Sequence, residues 1–411
     1  MRAEVIAIGD ELTTGQRLDT NSQWLSRRLT ELGVPVAFHT TVSDDLADNV
    51  AAFRAAIERA EIVVVTGGLG PTADDLTRDA LAAATGVRLV CDQPVLEQIR
   101  QLFERRSRMM PESNFVQADF PAGSTPIANL HGTAPGIEMH ITRGKASCTL
   151  FALPGVPAEM HEMWFSTVMP RLRELQPEPR VTRHRRIKCF GVGESHLEAM
   201  LPDLIRRGRE PRVGITVSDA TITLRITASG QDEPTCFAAM EPTIATIREA
   251  LGSLVFGEED DELEHAVVRL LAERSQTVAV AEWATEGLVT EWLSAVTGGA
   301  LQLKGGCAIT SREQLEALIQ PATLQADVWP HASATATALA EAIGRKEQAD
   351  FALGIAAFPS ETLVPDAHVC VSLVTPTGTR KLRFACASHP AIMRSRTGKQ
   401  ALNALRLTLL G

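Results

Sequence analysis

With 411 residues, 45% hydrophobic and 22% charged, the chain is too long for one ordinary core and has the make-up of two or three globular domains. A formal net charge of −10 argues against bulk nucleic-acid binding, which needs a basic face. No apolar run approaches the roughly 20 residues of a membrane helix, and the first ten residues reach an acid too soon for a signal peptide, so a cytoplasmic protein is expected.

Residues 4–8 are apolar and β-branched and read as a strand. Asp19, Thr20 and Asn21 offer N-caps for a helix that carries Leu25, Leu29 and Leu32 inward and stops at Gly33. A second strand covers 34–42, and Ser43 can cap a helix with Leu46, Val50, Phe53 and Ile57 at helical period. Residues 62–65 form a third strand, apolar enough to be buried on both faces, and Thr72 or Asp74 opens a helix running to Gly86. A strand at 149–153 is followed by a helix starting near Pro157 with Met160, Met163, Trp164 and Val168 on one side. Strands separated by helices predict an α/β fold with a mostly parallel sheet covered on both sides.

From about residue 175 the rhythm changes. A strand at 181–190, a helix at 194–205, a hairpin turning at Ser218-Asp219-Ala220 and a helix at 244–251 form a small α+β unit. The basic stretch 180–188 reads as a solvated strand edge or, less simply, a nucleic-acid contact. The acidic run 256–262 marks a boundary, and a further α/β domain follows. The expected domains are therefore 1–174, 175–257 and 262–411. Seven scattered cysteines without a Cys-x-x-Cys pair read as reduced thiols, and the histidines show no zinc-ligand spacing.

The chemistry gathers at strand ends. Thr66, Gly67, Gly68, Leu69, Gly70, Pro71 and Thr72 leave a buried strand and lead into a helix, where open α/β sheets bind ligands. Glycines there let backbone amides approach a phosphate, and the helix N-terminus adds a favourable dipole. A glycine-rich turn with no ligand is the simpler alternative. Asp10 and Glu11 end the first strand. If strands one and three are neighbours, these acids could converge with Asp74 and Asp75 and bridge a divalent cation to a pyrophosphate. The turns around Asn129, Gly132 and Thr133, and around Pro154 and Gly155, wall such a pocket or merely end strands.

In order and spacing, these residues resemble the CinA family. The resemblance rests on Gly-Asp-Glu-Leu at 9–12, Asp19-Thr20-Asn21, the turn 67–72 with Asp74, Asp75 and Thr77, the turn from Asn129 to 136, and Leu-Pro-Gly-Val-Pro at 153–157. It implies a MoaB/MogA-like three-layer N-terminal domain, a KH-like middle module, an NMN-amidohydrolase-like C-terminal domain and a homodimer. It also implies metal-dependent hydrolysis of an ADP-ribose-like pyrophosphate, with Asp10, Asp74 and Asp75 as metal ligands. Asn21 and the turns 66–72, 129–133 and 154–155 would hold the nucleotide or pterin pyrophosphate. The division into base and ligand among Asp10, Glu11, Asp74 and Asp75 is open, and so is binding without chemistry.

The C-terminal domain departs from the family's Ala-Glu-Ser-Cys-Thr-Gly-Gly stretch. Here it reads Ala281-Glu282-Trp283-Ala284-Thr285-Glu286-Gly287, so an indole stands where the nucleophilic serine belongs. The loop through Thr310 and Ser311 has lost the family's tyrosine and lysine, and the loop at 353–358 has changed too. Loss of NMN deamidation is expected, with Thr285 or Ser311 as remote substitute nucleophiles.

Overall fold

The computed structural model describes residues 1–144, 146–176, 178, 180–206, 208–296, 298–319, 333–359, 367–386 and 389–411. The chain packs as two compact units, one of Met1–Arg183 with Ser229–Cys236, the other of His184–Ala228 with Phe237–Gly411.

The first unit is built on a six-stranded sheet in the spatial order Val36–Val42, Ala3–Ile8, Ile62–Thr66, Ala146–Leu153, Gly136–Arg143, Thr125–Ile127. The first three pairings are parallel and the last two antiparallel, so the expected mostly parallel α/β sheet is observed. Alternation along the strands divides the side chains between two layers. Ile6, Ile8, Val63, Val65 and Leu150 pack with Phe53, Leu81 and Leu96. Val5, Ile62, Val64 and Phe151 pack with Leu25, Leu29, Met160 and Trp164 on the opposite side. Each such side chain is worth roughly 1.5–3 kcal/mol when fully buried, so three layers follow from the pattern. Glu4, placed within an apolar strand, is fully buried; Arg59 clamps its carboxylate with bonds of 2.8 and 2.6 Å, and Thr40 adds one of 2.7 Å.

Several boundaries move for identifiable reasons. The helix Leu46–Arg59 is capped by Asp45, which accepts from the amides of Ala47 and Asp48, and not by Ser43. The helix after the glycine turn begins only at Thr77, because residues 68–76 are held in a loop of their own. The helix predicted at 194–205 ends at Met200.

The second sheet has the order Arg212–Ser218, Thr221–Gly230, Val181–Cys189, Val255–Glu258. Its hairpin turns at Asp219 and Ala220 with φ of 47° and 61°, the left-handed pair of a two-residue turn. The basic strand is therefore interior and not an edge. Within the second unit its charges are answered by Glu259 and Asp260 on Arg186 and by Glu262 on Lys188. Likewise the acidic run is no free linker, since Val255–Glu258 is a strand and Glu262 caps the helix Leu263–Glu273. The third sheet runs Leu303–Ala308, Val278–Glu282, Phe351–Ile355, His368–Thr375, Gly378–Ala385, two parallel pairings followed by two antiparallel ones. Among the described residues no helix is long and apolar enough to cross a membrane.

Candidate functional site

The strand Ile62–Thr66 delivers the chain to Gly67 and Gly68, whose φ values of 106° and 66° lie in the left-handed region. A Cβ at Gly67 would stand 2.4 Å from the Ile8 carbonyl oxygen, and one at Gly68 would stand 2.3 Å from the Thr77 hydroxyl. Glycine is required at both. The carbonyls of Gly67, Gly68, Leu69 and Gly70 are all drawn inward. Thr77 donates its hydroxyl to Gly67 at 2.8 Å and its amide to Gly68 at 3.1 Å. Arg78 donates to the carbonyls of Leu69 at 2.8 Å and Gly70 at 3.4 Å, and Gln117 adds a bond to Leu69. The amides of Gly68, Leu69 and Gly70 make no hydrogen bond among the described residues. Such a run of spare backbone donors suits an anion.

Arg78 is 2% exposed. Burial lowers its pKa to about 10, opposed by the nearby charges of Asp75, Asp119 and Asp79. It sets a positive charge beneath the turn. Asp75 belongs to the same scaffold: its carboxylate accepts from the Thr72 amide at 3.0 Å and from the Thr72 hydroxyl. Asp74 is exposed, and the Thr72 hydroxyl, then its own backbone amide, hold its carboxyl below the usual range.

A cavity of about 40 Å³ opens beside the turn, lined by Thr66, Gly67, Asn21, Gly155, Glu11 and Arg17 among others. Asn21 ties the walls together, donating to the Thr66 hydroxyl at 3.0 Å and to the Gly155 carbonyl at 2.9 Å; Thr66 in turn donates to Pro154 at 3.3 Å. Asp19 caps the helix Thr20–Glu31 through the Ser22 amide and so fixes Asn21 in its first turn. Asn129, Gly132 and Thr133 are elsewhere. Asn129 organises its own turn, donating to Ala134 and Glu159 and accepting from His131 and Gly132. With Gly132 it lines a different cavity of about 180 Å³ against Ile99, Leu102 and Arg105.

The first and third strands are neighbours, and a fourth acid joins the rim. Asp44 follows the second strand and exchanges hydrogen bonds with Asp10, each backbone amide donating to the other's carboxylate at 2.9 and 3.2 Å. Burial raises the Asp44 carboxyl's pKa; the bond from the Asp10 amide opposes the rise, while the charges of Asp10, Asp74 and Glu11 add to it. Asp10, Glu11, Asp44 and Asp74 thus share one electrostatic neighbourhood, whereas Asp75 is spent on Thr72. Among the described residues no group of three or more His, Cys, Asp or Glu could hold a metal ion alone. The donor chemistry, hard carboxylate oxygens repelling one another, suits a cation whose remaining ligands come from a bound phosphate. Asp44, Arg17 and Arg78 were not expected from the sequence. Asp44 and Arg17 carry the same signal as Asp10, a polar residue just beyond a parallel strand's carboxyl end or in the loop leaving it; Arg78 carries none, because a buried arginine in a helix reads as a surface charge.

In the C-terminal domain Glu282 is fully buried and saturated. It accepts from the Thr285 hydroxyl, the Val289 amide, and both the amide and hydroxyl of Thr290, at 2.6–3.0 Å. It thereby satisfies two amides in the first turn of the helix Leu288–Ala295. Thr285 is fully buried and committed to Glu282. Thr310 donates to Gln314, and Ser311 caps the helix Arg312–Leu318. The partly buried Trp283 packs against the cluster of Ala281, Ile309 and Leu315.

Residues 4–174 match the family model of the probable molybdopterin binding domain, 184–257 that of the damage-inducible protein CinA KH domain, and 260–409 that of the CinA C-terminal domain. A CinA-like protein of Frankia casuarinae is 36% identical over 100% of this chain and 97% of its own. Among solved structures, the protein CinA of Thermoplasma acidophilum is 33% identical over 41% of this chain and 96% of its own, with a TM-score of 0.37. The tungsten cofactor synthesizing protein MoaB of Pyrococcus furiosus is 20% identical over 42% of this chain and 95% of its own, with a TM-score of 0.30. Matched over its full length to a CinA-like relative, and in all three segments to the corresponding family models, the chain belongs to the CinA family.

Proposed function

We propose that the N-terminal domain hydrolyses an ADP-ribose-like nucleotide pyrophosphate that arrives with a divalent cation, and that the C-terminal domain does not deamidate NMN. One observation carries the first half: a turn whose carbonyls are tied inward and whose Gly68, Leu69 and Gly70 amides are spare, next to the linked acids Asp10 and Asp44. The amides and the buried Arg78 charge would bind the phosphate oxygens. Arg17, on the cavity wall, would add a second cation. Asp10, with Asp44 or Asp74, would hold the cation, which when bound offsets charge on the phosphates and acidifies a water. Water would attack one phosphorus, the bridging P–O bond would break, and the bridging oxygen would leave on the other phosphate. The displaced proton would pass to a carboxylate. Asp44, with its raised proton affinity, is the group best suited to accept it.

The test is hydrolysis of ADP-ribose with and without Mg²⁺ or Mn²⁺, with NMN in parallel. Metal-dependent release of AMP, with no ammonia from NMN, is expected. A second reading, binding of a pterin or nucleotide without turnover, is favoured by the N-terminal match to a probable molybdopterin binding domain and by the lack of a three-ligand metal set among the described residues. Tight ligand binding without products under every metal condition would select it.

A further inference from the structure

Within the second unit lies a cavity of about 290 Å³, unrelated to the sites above and large enough for a small organic molecule. Its walls come from distant parts of the sequence: Lys188, the hairpin residues Ser218 and Thr223, Glu264, Trp292 and Lys399. Most of the charges around it are already satisfied. Lys399 donates to Thr221 at 2.9 Å and to Glu262 at 3.4 Å, and is ion-paired with Asp219 at 3.3 Å. Glu262 is further held by Lys188 at 2.9 Å and by its capping bond to the His265 amide. Asp219 also accepts from Ser395.

What remains unspent is a pair of opposite charges. Lys188 makes one hydrogen bond among the described residues, leaving two ammonium hydrogens available, and it is only 12% exposed. Glu264 lines the same cavity, and its carboxylate makes no hydrogen bond to another residue among the described ones; its Oε2 is closed off, so a ligand would meet the group at its other oxygen. Burial raises the pKa of that carboxyl, and Glu262 reinforces the rise. A carboxylate without a partner residue favours a cationic donor that can reach it. Beside them lie the Ser218 and Thr223 hydroxyls, which make no side-chain hydrogen bond among the described residues, and the Trp292 indole, whose six-membered ring abuts Gly398.

We propose that this cavity binds a small zwitterion of the α-amino-acid class, its carboxylate on Lys188, its ammonium on Glu264 and its side chain against Trp292. A lone anion would leave Glu264 unpaired, and a lone cation would leave Lys188 unused; a zwitterion answers both in one molecule.

The experiment is isothermal titration of the full-length protein with the twenty common amino acids singly, with acetate and methylammonium as half-ligand controls. At least one amino acid should bind, with each half-ligand at least 10-fold weaker. Glu264→Gln keeps the shape while removing the acceptor charge, and Lys188→Met removes the anion partner; each should weaken binding at least 10-fold. Circular dichroism of Glu264→Gln matching the wild type checks that the fold is kept. Absence of binding by all twenty overturns the proposal. So does equal binding of a half-ligand, or unchanged affinity in Glu264→Gln.

Discussion

Asp10 and Asp44 are locked to one another by two reciprocal hydrogen bonds, the Asp10 amide to Asp44 Oδ2 at 2.9 Å and the Asp44 amide to Asp10 Oδ1 at 3.2 Å. The lock follows from topology. Ile8 and Val42 are register partners on adjacent parallel strands, and each acid stands two residues beyond the end of its own strand. Two carboxylates are thereby held at the rim with little freedom to separate, and Asp44 bears the electrostatic cost.

Asp44→Asn should preserve this geometry, because an amide oxygen can still accept from Asp10, yet remove the carboxylate. ADP-ribose turnover is expected to fall by about 10²-fold or more. The pH dependence should change with it. Because burial raises the Asp44 pKa, the group ionises at higher pH than an ordinary aspartate. Cation binding and turnover should therefore rise with pH through that window in the wild type, and this acid limb should move or vanish in the variant. The sign for stability is opposite: the raised pKa contributes stability below 3.8 that is lost as pH rises through the folded value. Unfolding midpoints at two pH values, alongside the rate profile, check both.

Asp74 and Asp75, adjacent in sequence, should behave differently. Asp75 holds the Thr72 amide and hydroxyl and faces the buried Arg78 charge, so Asp75→Ala should cost about 1–3 kcal/mol in chemical denaturation as well as activity. Asp74 is exposed, and Asp74→Asn should lower the unfolding midpoint less than Asp75→Ala does while weakening metal-dependent turnover. Equal destabilisation by the two changes would contradict these roles.

The sheet was legible because its strands are apolar runs bounded by turn residues, and the site because both acid pairs follow such strands. Three features were not legible, each for a physical reason. The loop 68–76 delays its helix because Thr77 and Arg78 reach back to the carbonyls of 67–70, a tertiary preference invisible to local periodicity. Asp44 carried no signal that set it apart from its neighbours, since Ser43, Asp44 and Asp45 are all residue types that cap helices and only the structure assigns the cap to Asp45. The pairing of Lys188, Glu262 and Lys399 spans more than 200 residues, a separation over which sequence spacing carries no information.

Arg78 anchors the glycine turn from below. Arg78→Met would strip the carbonyls of Leu69 and Gly70 of their guanidinium donors and leave Asp75 without its buried counter-charge. A loss of about 2–4 kcal/mol in stability is expected. Inorganic pyrophosphate affinity should drop about 10-fold or more. Arg78→Lys keeps the charge but not the fork that spans two carbonyls, so it should recover only part of either quantity. Full recovery would show that charge alone matters, and no loss in the methionine variant would remove Arg78 from the site.

Restoring serine at position 283 should not restore NMN deamidation. The carboxylate of Glu282 has no capacity left for a reacting group, being filled by Thr285, Val289 and Thr290. The loop beyond it is pinned as well: Arg394 donates to the Thr285 carbonyl at 2.8 Å and pairs with the Glu286 carboxylate at 3.1 Å. Trp283→Ser would open a gap beside Ala281, Ile309 and Leu315 and is expected to cost about 2–4 kcal/mol. Glu286 stands where the family has glycine and keeps the left-handed backbone, with φ of 51°, at a steric cost of about 1–2 kcal/mol. Glu286→Gly removes that strain and forfeits only a solvent-exposed ion pair worth less than about 1 kcal/mol. The double variant should therefore be more stable than Trp283→Ser alone while releasing no ammonia from NMN. Ammonia release by the double variant would mean that serine and glycine suffice, and that the altered loops at 309–315 and 353–358 are not what silences the domain.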